Sequence, residues 1–148
     1  MSDAHVPRLE TSRLVLPEWP TGTVMILSTS GVAPHAIPVS TALRAAPRRI
    51  LLGLAAGRES LVRLRADPRV ALTILCEGDI AVTAHGRARV VEESLVDGVA
   101  AVEITVERMQ DHGRPTLVID GGARWRWIDP AARARDGDVR DALERLVP

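Results

Sequence analysis

Arg49-Ile50-Leu51-Leu52-Gly53-Leu54-Ala55-Ala56-Gly57-Arg58-Glu59-Ser60-Leu61-Val62-Arg63-Leu64-Arg65-Ala66-Asp67-Pro68-Arg69-Val70-Ala71-Leu72 passes from strand to helix and back to strand. Its first seven residues are apolar on both faces, which predicts a central strand. From Arg58 the spacing turns helical: Leu61 and Leu64 share a face, and Glu59 and Arg63 form an i,i+4 pair. Asp67-Pro68 stops the helix, because the residue before a proline is pushed out of the α region. Arg69 to Leu75 is again a strand.

Upstream, Thr23 to Thr29 is apolar and β-branched and stops at Ser30-Gly31, after which Val32 to Leu43 resumes a strand pattern. The pair predicts a hairpin. Pro34 and Pro38 cannot donate to a ladder, so the second strand must be bulged or lie at an edge. Downstream, Glu77-Gly78-Asp79 turns into a long strand, Ile80 to Val91, with Gly86 where a bulge or a close backbone approach is expected. Val102, Ile104 and Val106 alternate with Glu103, Thr105 and Glu107, so one face of that strand is wet. Thr116 to Ile119 and Arg124 to Ile128 flank a Gly121-Gly122 turn and are expected to pair, which would put Trp125 and Trp127 on one strand face. Residues 129–148 are predicted helical, with a break at Gly137, and residues 1–22 form an irregular arm whose Leu14-Val15-Leu16 patch docks on the body. Helices do not alternate with strands, so the expected architecture is mainly β: one 1–148 domain, a barrel of six or seven short strands with one internal helix after the third strand and a C-terminal helical tail.

Composition narrows the chemistry. Nineteen basic residues balance nineteen acidic ones in 148, which gives no electrostatic footprint for nucleic acid or an anionic membrane. Every basic residue is Arg, and Tyr is absent. Schiff-base lysines, phosphate-loop lysines and phenolic acids are therefore excluded. No apolar run approaches the roughly 20 residues of a membrane helix. The lone Cys76 and the absence of a signal-peptide pattern predict a cytoplasmic protein. Cys76, His85 and His112 match no metal-ligand spacing, so no metal site is expected, and no acid–base or nucleophilic constellation assembles; catalytic residues stay unassigned.

Pro34-His35-Ala36-Ile37-Pro38-Val39-Ser40, the run from Gly57 to Leu72 and the Gly86-Arg87-Ala88 step together resemble the pyridoxamine phosphate oxidase-like, flavin-binding split-barrel family. The likeness runs from about Thr23 to Val91. It implies a six-stranded split barrel and a homodimer with two sites at the seam for flavin mononucleotide or a deazaflavin, acting as an oxidoreductase on a small redox substrate. It also implies that the ring lies along Pro38, Val39, Ser40 and Thr41, and that the phosphate is gripped by Leu54, Ala55 and Gly57 and by Arg58, Ser60 and Arg63. A helix N-terminus offers free N–H groups and a positive dipole end, which agrees with a phosphate there. Many members carry a basic residue where this chain has Ser60, and Glu59 adds a negative charge beside the phosphate. The Arg-and-His substrate motif of the true pyridoxamine phosphate oxidases is missing, so that reaction is not expected.

Each candidate also has a plainer role: Arg58 and Arg63 as a solvated helix face, Ser60 as a helix cap, His35 as a strand residue turned to water, and Cys76 as a small buried apolar group. Trp125 and Trp127 suit either stacking on an isoalloxazine or filling an interface. The competing functional expectation is a dimeric module of the same fold without redox catalysis, binding a cofactor or haem through His35 or His85.

Overall fold

The computed structural model describes residues 15–148 and, before them, the backbone of Arg8–Glu10. Its elements are β1 (Arg8–Glu10), β2 (Met25–Thr29), β3 (His35–Val39), β4 (Leu43–Ala46), β5 (Arg49–Ala55), α1 (Glu59–Ala66), β6 (Arg69–Cys76), β7 (Ile80–Val96), β8 (Val99–Asp111) and α2 (Pro130–Arg145). The sheet order is β3-β2-β6-β7-β8-β5-β4, with β1 added beside β8, and the paired strands are antiparallel. The class is mainly β, as expected, but the sheet has eight strands rather than six.

Alternation explains the core. Met25 and Leu27 on β2, Leu72 and Ile74 on β6, Ala84 on β7, Val102, Ile104 and Val106 on β8, and Ile50, Leu52 and Leu54 on β5 all point inward, with Leu61 and Leu64 of α1 against them. β5 is apolar on its other face too because Leu51 meets a second cluster there, built with Ala101 and with Val139 and Leu143 of α2. Burying a Leu or Val side chain contributes about 1.5–3 kcal/mol, so these two clusters carry the fold. β7 and β8 are long enough to serve both halves of the sheet. Register shifts between His85 and Gly86 and between Val90 and Glu92 let this ribbon bend.

Three sequence expectations change. The Val32–Leu43 segment is not one strand: β3 ends at Val39, and the chain crosses to pair as β4 with β5. Thr41 makes the crossing, its hydroxyl accepting from Gly53 N at 3.0 Å and donating to Gly53 O at 3.2 Å in place of a ladder pair. Pro38 is tolerated because β3 is an edge strand. Second, residues 112–129 form no hairpin. They run as irregular chain around the β6–β7 turn, where Asp79 N donates to Ile119 O at 3.0 Å and Ile119 N to the Asp79 carboxylate at 2.9 Å. Gly122 serves close approach rather than turning: a Cβ there would stand 2.6 Å from Leu75 O. Third, α2 continues through Gly137 without a break, capped by Asp129, which accepts from Ala131 N, with Pro130 behind it. Docking of Val139, Ala142 and Leu143 outweighs the roughly 1 kcal/mol that a mid-helix glycine costs.

Of the arm, Leu14 lies outside the described residues; Leu16 is buried and Val15 exposed. Leu16 N donates to Pro47 O at 2.8 Å, so the arm docks as expected, while Arg8–Glu10 is strand rather than irregular. Among the described residues, no helix is long and apolar enough to cross a membrane.

α1 ends as the sequence requires. Asp67 forks onto Arg69, with Arg69 Nη2 at 2.6 Å and Nε at 3.0 Å from its carboxylate, and accepts from Arg69 N. Those bonds pull its carboxyl down to about 2. A folded-state value below the unfolded one contributes stability above the unfolded value and loses it as pH falls through the folded one. The thermal midpoint is therefore expected to fall between about pH 4 and about pH 2 in the wild type, and less steeply in Asp67→Asn. An equally steep acid limb in the variant would refute this.

Candidate cofactor site

The N-terminus of α1 sits where β5 delivers the chain. Arg58 is extended at φ −69° and ψ 136°, its side chain makes no cap bond, and Glu59 begins the helix. The first N–H groups of any helix lack intrahelical partners, so this end presents donors and a positive dipole. Arg58 is exposed and makes no side-chain hydrogen bond or ion pair among the described residues. Ser60 does not cap: it is fully buried within the first turn, and its Oγ has no partner.

Glu59 is neutralised locally. Arg63 Nε donates to its Oε2 at 2.7 Å, and His35 Nδ1 stands 3.2 Å from the same oxygen. The Arg63 hydrogen bond, then the charges of His35 and Arg63, hold the Glu59 carboxyl below its ordinary range. Arg63 is committed as well, because its Nη1 donates to Ala33 O at 2.6 Å and clips α1 to the β2–β3 turn. Gly31 makes that clip possible, since a Cβ there would run into the Arg63 guanidinium. Beneath α1, Thr29 and His35 are cross-strand partners, and both Thr29 Oγ1 and His35 Nε2 are buried without a partner. Sequence alone does not foresee this Glu59–Arg63–His35 cluster beyond its i,i+4 pair, because His35 joins it from another element.

Of the expected ring strip, Val39 is a core side chain and Pro38 is exposed; of the expected phosphate grip, Leu54 is a core side chain, whereas Ala55 and Gly57 are exposed. Thr41 is tied to Gly53, and Ser40 O accepts from Arg140 Nη2 of α2 at 2.8 Å. Arg140 is the participant missed by sequence reasoning. Its only local signal is the i,i+4 spacing from Asp136, whose carboxylate accepts from its Nε at 2.8 Å. α2 also lies close on β5: a Cβ on Gly53 would come within 2.9 Å of Val139 Cγ1.

Trp125 and Trp127 do not share a strand face. Their rings meet edge to face with centroids 5.4 Å apart, and Trp125 Nε1 donates to Gly22 O at 2.8 Å. Trp127 lines a cavity of about 510 Å³ with Val96, Val99, Ala132 and Val139, away from α1. The three sulfur and imidazole candidates do not converge. Cys76 belongs to the inward face, and burial, then Glu77, pushes its thiol up. His85 Nε2 is bonded to Gln110 Oε1 at 2.7 Å, and His112 Nε2 to Thr83 Oγ1 at 2.8 Å.

No family profile and no curated protein matches the chain. Solved structures do. A pyridoxamine 5′-phosphate oxidase-like protein from Listeria innocua superposes with a TM-score of 0.53 at 14% identity, over 62% of this chain and 90% of that one. An FAD-binding protein from Mesorhizobium loti gives 0.54 at 13% identity, over 72% and 96%. A haem-binding protein from Mycobacterium smegmatis gives 0.51 at 19% identity, over 64% and 51%. The fold is the split barrel of pyridoxamine 5′-phosphate oxidase-like proteins.

Proposed function

We propose that the protein is a homodimeric flavin mononucleotide-dependent oxidoreductase, with the cofactor phosphate at the N-terminus of α1. The observation that carries this reading is the charge arrangement there. Arg58 is exposed without a partner among the described residues, while Glu59, which would repel a phosphate, is drawn onto Arg63 and His35. The residues fit a phosphate: free helix N–H groups, one available guanidinium and the unpartnered hydroxyl of Ser60. A bound flavin would supply hydride chemistry, and this chain's part is to hold it and exclude water. The exposed Ile26 and Leu75 on the outer face of β2 and β6 support a partner subunit there, and gel filtration reads that directly.

Arg58→Ala is the clean test, because Arg63 also holds the β2–β3 turn. Losing a charge-assisted bond of about 1.5–3 kcal/mol should weaken flavin mononucleotide binding tenfold or more. The wild type should retain a visible flavin spectrum. Retention by Arg58→Ala at wild-type affinity would overturn the phosphate assignment.

A second reading is a haem-binding module without redox catalysis. Favouring it, His35 Nδ1 meets the Glu59 carboxylate while Nε2 is buried without a partner, the arrangement that orients a metal-ligating imidazole. A Soret band lost in His35→Ala would establish it over the flavin.

A further inference from the structure

Between α2 and the chain from Thr41 to Arg44 lies a cavity of about 290 Å³ whose wall α1 does not join and which shares Thr41 with the expected ring strip. Its charged and aromatic lining is Glu18, Trp19, Arg44, Arg140 and Glu144, with the hydroxyls of Thr21 and Thr41 beside them. We propose that it binds a small zwitterion of the amino-acid class, with the carboxylate on the two guanidinium groups and the ammonium on the two glutamates.

Both arginines are preorganised. Arg140 is held through Nε by Asp136 at 2.8 Å and through one Nη2 hydrogen by Ser40 O at 2.8 Å, and its side chain is only 17% exposed. Arg44 is held through Nε by Leu16 O at 2.9 Å. A guanidinium carries five N–H donors, so each retains donors that have no partner among the described residues. Fixing the fork in advance reduces the entropy lost when a carboxylate docks on it. Trp19 is fixed in the same way, its Nε1 donating to Ala42 O at 2.9 Å, which sets the indole in the wall. The Thr41 hydroxyl is spent on Gly53, so it shapes the site rather than recognising a charge.

The decisive feature is that opposite charges share the cavity without pairing. Among the described residues, neither Glu18 nor Glu144 forms an ion pair with Arg44 or Arg140. Two cations and two carboxylates complement a molecule that carries both signs. A simple anion would meet the glutamates, and a simple cation the arginines, each an uncompensated repulsion. Solvated surface charge explains exposed glutamates alone, but it leaves two backbone-anchored arginines turned to the same small space unexplained.

The inference does not rest on the phosphate assignment at α1, although Thr41 belongs to the expected ring strip as well, and its test contains no flavin. L-leucine, 4-methylpentanoate and 3-methylbutylamine share one carbon frame and present both charges, the carboxylate alone or the ammonium alone. By calorimetry, L-leucine should bind at least about tenfold more tightly than either analogue. In the Glu18→Gln/Glu144→Gln double variant, at two exposed positions where the melting temperature is expected to stay at the wild-type value, that advantage over 4-methylpentanoate should vanish, and 4-methylpentanoate should bind at least as tightly as to the wild type because the carboxylates that repel it are gone. Equal binding of the three probes, binding of none, or a preference that survives the double variant would each overturn the proposal.

Discussion

Gly86→Ala should lower the melting temperature by about 10 °C, whereas Gly137→Ala should raise it slightly. Gly86 is buried in β7 opposite the bulged part of β8, and a Cβ there would run into the Thr105 carbonyl and stand 3.1 Å from Val106 Cα. Those neighbours are backbone, so no rotamer change relieves the overlap; the strands must separate, at a cost of about 3 kcal/mol or more. The affected ribbon is the one that joins the two halves of the sheet, so the damage spreads. At Gly137 a Cβ meets nothing within 4 Å, and the position is helical. There alanine contributes about 0.5–1 kcal/mol by restricting the unfolded chain. Thermal melts of the two variants side by side check both signs, and a Gly86→Ala protein as stable as wild type would mean that β8 does not approach as described.

Leu143→Asp should detach α2 while leaving the inner barrel folded. Leu143 is fully buried against Leu51 and Ala101, and a carboxylate cannot remain there unpaired. Undocking exposes Val139 and Ala142 as well, which together with Leu143 forfeits several kcal/mol of burial. A lone helix of this length, with a glycine in its middle, is marginal in water, so α2 should melt rather than float free. Circular dichroism should lose helical signal and keep strand signal, and proteolysis should cut within 112–145 far faster than in wild type. Arg140 and Glu144 leave the cavity beside Thr41 with the helix, so leucine binding should disappear in the same variant. Cooperative unfolding of the whole chain instead would mean that the second cluster is indispensable to the first.

Much of this architecture was legible in the residues. The alternation in Arg69–Cys76 and Val102–Glu107 assigns an inward face because a strand's side chains alternate strictly. The unbroken apolar run of Arg49–Ala55 signals cover on both faces, and the structure supplies the barrel interior on one and α2 on the other. Gly86 and the edge prolines carry backbone constraints that act within a residue or two. Around the candidate site, the helix start at Arg58–Ser60 was readable for the same local reason.

Other features were not. Glycine pairs and β-branched residues in 116–128 carry a hairpin's local signs, yet the backbone bonds of that segment go to the β6–β7 turn and beside Leu75. Periodicity reports which side of an element is covered but not by what, so the bond from Arg140 to Ser40, 100 residues away, leaves no trace in either neighbourhood. Arg63 shows the same division: its spacing from Glu59 is local, and its commitment to Ala33 is tertiary. The sequence by itself determined β2, β5, β6, the start of β7, the inward face of β8 and the two helices, because those follow from steric and hydrophobic preferences a few residues wide. Only the tertiary structure decided where β3 ends and β4 begins, which arginines stay available to a ligand and what shares a cavity with Thr41, because those depend on contacts whose partners are far apart in the chain.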